Sequence, residues 1–88
     1  MTAADAKKNY LVGVEFDSPH ETGGYFDFQR RATLREVAAE MLDIIRNGHS
    51  FPAFPPSANP RLMFAFCLKD DREIDCKKEL QILIKEIA

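Results

Sequence analysis

Hydrophobic and polar residues alternate in two consecutive stretches near the start of the chain. Large apolar residues fall on every second position of residues 10–16, and Phe26 and Phe28 repeat this spacing within residues 25–30. A period of two is typical of β-strands that bury one face. Residues 17–24 (DSPHETGG) lie between them and are rich in turn-forming residues. The pattern predicts a β-hairpin with a loop of seven or eight residues.

The apolar period changes to that of a helix after residue 33. Thr33 and Glu36 have the spacing of a capping box, in which each side chain accepts a hydrogen bond from the backbone amide of the other residue. Apolar residues then recur three, four, seven and eleven positions after the first one, at Leu34, Val37, Ala38, Met41 and Ile45. Gly48 suits the left-handed conformation that often ends a helix. We therefore predict a helix over residues 34–47.

The middle of the chain combines a proline-rich segment with an apolar one. Residues 49–60 (HSFPAFPPSANP) contain four of the five prolines, which disfavour helices and internal strands. We expect a stiff, extended connection there. Residues 62–68 (LMFAFCL) are apolar on both faces, as in a strand at the centre of a sheet. Residues 69–73 (KDDRE) predict a charged turn.

The last segment, residues 75–88, has two interpretations. A helical stripe is formed by Cys76, Leu80, Leu83, Ile84 and Ile87, with Asp75 as the N-cap, while Leu80, Ile82 and Ile84 also alternate as in a strand. The helix is preferred because strong helix formers separate the apolar positions. The prediction is a small two-layer α+β domain, with the order β-β-α-β-α and a short sheet packed on the 34–47 helix. Residues 1–8 are expected to form a disordered tail and residues 9–88 a single domain.

If the last segment is a strand, the order becomes β-β-α-β-β and the layout resembles the ubiquitin-like β-grasp. The resemblance rests on the hairpin, the helix that opens with residues 33–37 (TLREV), the proline-bearing connection and residues 61–66 (RLMFAF). The printed sequence finishes with residues 85–88 (KEIA) and has no di-glycine there. The resemblance therefore does not imply conjugation to other proteins.

Composition and charge restrict the partners that the sequence predicts. The 88 residues include 12 basic and 14 acidic ones, for a net charge of −2, and the basic residues cluster only in pairs. Nucleic-acid binding is disfavoured because it usually requires a basic surface, although Arg30, Arg31 and Arg35 are candidates for a local patch. No apolar run approaches the length that spans a bilayer, residues 1–9 lack the apolar core of a signal peptide, and cysteines are few. We expect a cytoplasmic protein without a membrane partner.

Four residues are candidates for chemistry at a site. His20 falls in the predicted loop, and His49 follows the helix, where an imidazolium would complement the negative end of the helix dipole. Cys67 and Cys76 are separated by eight residues and the two histidines by 28, which does not fit the short spacings of zinc motifs. We therefore predict no catalytic residue, no metal site and no cofactor, with the cysteines acting as small apolar residues.

Three surfaces are candidates for binding a protein. The first is the pair Phe51 and Phe54 in the proline-rich segment, unless these rings fold back to close one end of the core. The other two are the acidic helix face formed by Glu36, Glu40 and Asp43, and the hairpin strand that carries Tyr25 and Asp27.

The leading functional hypothesis is a non-enzymatic interaction domain that binds one protein partner. It would act as a small acidic inhibitor, an immunity-type antagonist, an adaptor or an accessory subunit. The alternative is a small ligand-binding or enzymatic domain that uses His20 or His49 at an oligomer interface. The strand with two apolar faces also suggests a homodimer, provided that the terminal segment leaves its second face uncovered.

Overall fold

The computed structural model describes residues 6–18 and 21–88, and only the backbone of residues 21–23. Within these residues the elements are β1 (Lys8–Ser18), β2 (Glu21–Ala32), α1 (Leu34–Asn47), β3 (His49–Ser50), β4 (Ala53–Phe54), β5 (Arg61–Lys69), β6 (Arg72–Asp75) and α2 (Lys77–Ile87). The α+β class is confirmed, and so is the order β-β-α-β-α of the five long elements. Most of the predicted tail lies outside the described residues, but Lys8 already pairs with Ala32 in the sheet.

The main sheet has four antiparallel strands in the order β2-β1-β5-β6. Strand β5 lies between β1 and β6, as its apolar sequence predicted. Val12 lies opposite Phe28 on one side and opposite Ala65 on the other. The pairing of β1 with β5 shifts between Gly13 and Val14, so β5 carries one extra residue at Met63.

The hairpin is longer than the sequence indicated. Phe16 pairs with Gly24, and after a shift in register Ser18 pairs with Glu21. The predicted loop of seven or eight residues is therefore wrong, because six of residues 17–24 lie within β1 or β2. Ladder hydrogen bonds use the backbone, so turn-forming side chains do not prevent them. Gly24 also leaves room for the Phe16 ring, which a Cβ at position 24 would overlap.

Helix α1 has the predicted limits and the predicted capping box. The Thr33 hydroxyl accepts a hydrogen bond from the Glu36 amide at 3.0 Å, and the Glu36 carboxylate accepts one from the Thr33 amide at 3.0 Å. Gly48 ends the helix with a positive φ of 78°, and a Cβ there would overlap the Phe54 carbonyl oxygen. Both requirements favour glycine at this position.

The terminal segment is a helix, so the β-grasp alternative is wrong. Cys76 is the N-cap rather than Asp75, but the Asp75 carboxylate accepts a hydrogen bond from the Lys77 amide at 2.9 Å. The predicted charged turn is also shorter than expected. Asp70 and Asp71 take positive φ values and return the chain directly into β6, which pairs with β5. None of the described helices has both the length and the apolar character needed to cross a bilayer.

The proline-rich segment forms a compact turn instead of an extended connection. Strands β3 and β4 pair with each other around Phe51 and Pro52, which are joined by a cis peptide bond. A single turn of 3₁₀ helix, Pro56–Ala58, follows and buries Ala58. The chain then enters β5.

The core lies between the helices and one face of the sheet. Alternation places Tyr10, Val12 and Val14 of β1 on this covered face, and the register adds Ala65 and Cys67 of β5. The helices contribute their buried stripes, formed by Val37, Ala38, Met41 and Ile44 of α1 and by Leu80 and Leu83 of α2. Both helices therefore pack on the same side of the sheet, and they also contact each other.

Candidate functional site

The other face of the sheet carries apolar side chains that neither helix covers. Leu11 lies opposite Phe66, Gly13 opposite Phe64, and Leu68 lies opposite Asn9 one row further along. These positions alternate with the buried ones on β1 and β5, and none of them belongs to the buried core or packs against it. We call the surface formed by Leu11, Gly13, Phe64, Phe66 and Leu68 the open face.

The open face is flattened by contact between its own side chains. The Phe64 ring lies across the backbone at Gly13, where any Cβ would overlap it. The centroids of the Phe64 and Phe66 rings are 5.5 Å apart with a tilt of 34°, within the range of favourable aromatic pairs. Leu11 and Leu68 are, like the two rings, only half-buried. These apolar side chains therefore contact one another and still expose part of their surface to solvent.

Charged residues surround this area. At one end, Arg61 donates hydrogen bonds to Glu15 at 3.1 Å and to Asp17 at 3.0 Å. The bond to Asp17, together with the nearby negative charges, raises the pKa of Arg61. At the β6 edge, Glu73 and Asp75 add two acidic side chains. The apolar centre with a polar rim is the usual anatomy of a protein-binding surface.

Two of the residues predicted from the sequence border the open face. Tyr25 pairs with Glu15 and Asp27 pairs with Gly13, so both side chains project on the same side as Phe64. Tyr25 is 66% exposed, an unusual degree of exposure for an aromatic residue. The hairpin strand that carries Tyr25 and Asp27 therefore borders the open face, whose apolar positions on β1 and β5 the sequence did not group into one surface.

The structure separates Phe51 from Phe54. Phe54 is buried, and its ring stacks on Phe16 with the centroids 4.3 Å apart. Phe54 therefore closes one end of the core and is withdrawn from the candidate binding residues. Phe51 is 89% exposed and remains accessible at the tip of the turn. The difference follows from the β3–β4 pairing, because Phe54 lies in β4 opposite His49, whereas Phe51 lies in the turn between the two strands.

The acidic helix face is already engaged in contacts within the chain. Glu36 serves the capping box, and the hydrogen bonds from Thr33 lower its pKa. Glu40 accepts two hydrogen bonds from the Arg30 guanidinium, and Asp43 accepts one from the Asn47 amide at 2.7 Å. These carboxylates are exposed or partly exposed, but a partner would have to compete with the existing bonds. They form a weaker docking surface than the sequence suggested.

The histidine hypothesis receives no supporting arrangement from the described residues. The His49 ring stacks on Phe26 at 4.5 Å, and its Nδ1 lies 3.1 Å from the Pro52 carbonyl oxygen and 3.3 Å from the Phe51 nitrogen. These contacts hold the β3–β4 turn against the aromatic end of the core. His20 lies outside the described residues. Among residues 6–18 and 21–88, no three His, Cys, Asp or Glu side chains are grouped to hold a metal ion.

The two cysteines line a surface cleft of about 490 Å³ between β5, β6 and α2. Both are free thiols. Burial, helped by the negative charges nearby, raises the pKa of Cys76 from 9.0 to about 11. Burial also raises the pKa of Tyr10, which lines the same cleft. A thiol with a raised pKa is a poor nucleophile at neutral pH, so the cleft offers little for covalent catalysis.

The arginines of the suggested basic patch point in different directions. Arg30 reaches Glu40 on the helix side of the sheet. Arg31 pairs with Asn9, and alternation therefore places it on the same side of the sheet as the open face. Arg35 belongs to the first turn of α1. The three side chains do not form one continuous basic surface.

Comparison with protein-family models, with curated proteins and with solved structures finds no match for this chain.

The sequence contained one signal for the open face. Residues 62–68 are apolar on both sides, whereas α1 and the terminal helix each have an apolar stripe that requires a single covered face. Once the terminal segment is a helix on the covered side, the second side of β5 has no described element to pack against. The homodimer prediction depended on that condition.

Proposed function

We propose that this chain is a non-enzymatic interaction domain that binds a protein partner through the open face of its sheet. The observation that carries the proposal is the position of Leu11, Phe64, Phe66 and Leu68 on the side opposite both helices. The domain would act as an inhibitor, an immunity-type antagonist, an adaptor or an accessory subunit. We place it in the cytoplasm, in keeping with its two free thiols.

A partner that covers the open face gains free energy from burying its apolar side chains. One side of an antiparallel sheet can face water, and it then usually carries polar residues. Here two phenylalanines and two leucines occupy the central rows and are only half-buried. Complete burial of such a side chain is worth roughly 1.5–3 kcal/mol, so a partner that covers the exposed remainder gains at most roughly 0.5–1 kcal/mol from each residue. Four such residues on neighbouring rows supply the apolar centre that an interface needs.

The test compares Phe66→Lys with Phe51→Ala in a tagged pull-down from host lysate, followed by mass spectrometry. Phe66 is at the centre of the open face, and Phe51 is the exposed ring of the proline-rich turn. We expect the wild type and Phe51→Ala to retain the same stoichiometric partner and Phe66→Lys to lose it. Circular dichroism and thermal unfolding establish that both variants are folded.

The opposite pattern would contradict the proposal. Loss of the partner with Phe51→Ala and retention with folded Phe66→Lys would place binding at the turn. Equal capture by all three proteins would show that neither aromatic surface binds the partner.

A further inference from the structure

We propose that the open face binds a second copy of this chain and forms a symmetric dimer in which two sheets pack face to face. The inference rests on the proposed function, because it names the occupant of the same surface. It is carried by the distribution of charge across the four strands.

Two rows of the sheet carry one basic and one acidic residue at positions related by the line between β1 and β5. One row runs from Arg31 on β2, through Asn9 and Leu68, to Glu73 on β6. Another row places Glu15 on β1 beside Arg61 on β5. In each row the basic and acidic residues occupy positions that a two-fold rotation about an axis parallel to the strands would exchange.

Such a rotation places β2 of one copy over β6 of the other, and β1 over β5. Arg31 then faces Glu73 of the second copy, and Glu15 faces Arg61 of the second copy. Symmetry produces each pair twice, as expected for an isologous interface. Between these rows, Leu11 faces Phe66 of the second copy. The mean strand directions stay within about 30° of each other, as in packed sheets.

The alternative two-fold axis, perpendicular to the strands, does not give this match. It would place Leu68 over Arg61 of the second copy and Arg31 over Tyr25 of the second copy. An apolar side chain would then cover a charged group, which costs free energy when the group loses water. The charges therefore favour the axis that is parallel to the strands.

The size of the face predicts a weak dimer. Strands spaced about 4.8 Å apart, with about 3.4 Å per residue, give the central rows a projected area of about 400 Å² per copy. Two copies bury roughly twice that area, which is below the range of stable complexes and typical of weak or transient ones. We therefore expect dissociation at micromolar concentrations.

The experiment measures the dimer dissociation constant by sedimentation equilibrium from about 1 μM to about 1 mM, a range that brackets a weak dimer. The variants are Arg31→Glu, Glu73→Arg and the double variant that carries both. Each single variant should raise the dissociation constant about tenfold, since it places like charges together. The double variant should restore it to within about threefold of the wild type.

Arg72→Glu is the matched control. Arg72 neighbours Glu73 on β6 and is also exposed, but alternation places it on the other side of the strand. It should leave the dissociation constant unchanged. Because all these positions are exposed, the variants are expected to fold, which circular dichroism checks.

Three results would overturn the inference. These are a wild-type monomer throughout the concentration range, a dimer that persists in Phe66→Lys, and single charge variants that the double variant does not rescue. A monomeric wild type that still captures a protein partner through Phe66 would overturn the dimer while leaving the proposed function intact. Loss of both properties would overturn both.

Discussion

The two faces of β5 carry side chains of different size. Along β5, Phe64, Phe66 and Leu68 on the open face alternate with Ala65 and Cys67 on the covered face. Small residues allow the helices to approach the strands closely, and the helices supply the larger apolar groups such as Met41 and Leu80. Large residues on the other face have no such layer above them. The comparison shows which apolar residues the fold requires and which it leaves available for binding.

The largest expected difference in the free energy of unfolding is between two Leu→Ala substitutions, one on each side of the sheet. Leu80→Ala removes a fully buried side chain under the helix layer, and such changes cost about 2–5 kcal/mol. Leu68→Ala on the half-buried open face should cost less than about 1.5 kcal/mol, because solvent fills the space that is left. Urea unfolding of both variants measures the difference.

The comparison would fail if the two variants lost similar amounts of free energy of unfolding. That result would mean that the open face is as important to the monomer as the core. The measurement is made at low micromolar concentration, so that self-association does not contribute to the stability of the wild type.

The next prediction concerns the close approach of Phe64 to Gly13. Gly13→Ala should lower stability by about 1–2 kcal/mol, because its Cβ would push the Phe64 ring from its position. Phe64→Ala should remove most of this cost. In a double-mutant cycle, the two changes together should therefore be less harmful than the sum of the single changes. Additive effects would show that the ring is not held over Gly13.

The sequence predicted the elements whose local signals agree with their surroundings. The capping box at Thr33 and Glu36, the 3.6-residue period and Gly48 all define α1, and the structure confirms its limits. The central position of β5 was predicted from its two apolar faces. These signals depend on residues close together in the chain, so a single sequence is sufficient to find them.

The features that the sequence did not predict depend on pairing between distant residues. The extension of the hairpin follows from Phe16 pairing with Gly24, although the intervening residues favour a turn. The burial of Phe54 follows from its stacking on Phe16, 38 positions earlier in the chain. The open face likewise depends on which side of the sheet receives α2. The spacing of apolar residues along the sequence identified which residues are apolar in each strand, but it did not identify the side of the sheet that would remain uncovered.

The N-cap of α1 is expected to make a smaller contribution to the free energy of unfolding. Thr33→Ala removes the hydroxyl that accepts the Glu36 amide hydrogen bond, and losses of this kind cost about 1 kcal/mol. Thr33→Ser keeps the acceptor and should lie within a few tenths of a kcal/mol of the wild type, by the same scale. Urea unfolding of the two variants provides the measurement. Equal stabilities would show that the cap does not contribute to the fold.

The smallest expected effect is the pH dependence that Cys76, on the covered face, gives to the free energy of unfolding. Cys76 lies on that side, and burial raises its pKa from 9.0 to about 11, so the folded state binds the thiol proton more tightly than the unfolded state. Its contribution to stability is therefore fully present below pH 9 and is lost as the pH rises through the folded pKa near 11. Because Cys76 lines a surface cleft, solvent reduces the size of the effect, and we expect no more than about 1 kcal/mol at pH 10.

The measurement is the free energy of unfolding from pH 8 to pH 11 for the wild type and for Cys76→Ala. The variant will be less stable near neutral pH, since it loses buried atoms, but its stability should fall less steeply between pH 9 and pH 11. Burial is the main cause of the raised pKa of Tyr10 and is present in both proteins, so the larger part of the Tyr10 contribution is common to both curves. Parallel curves would show that the thiol titrates with the same pKa in the folded and unfolded states. The covered face would then not be the low-dielectric side of the sheet at this position.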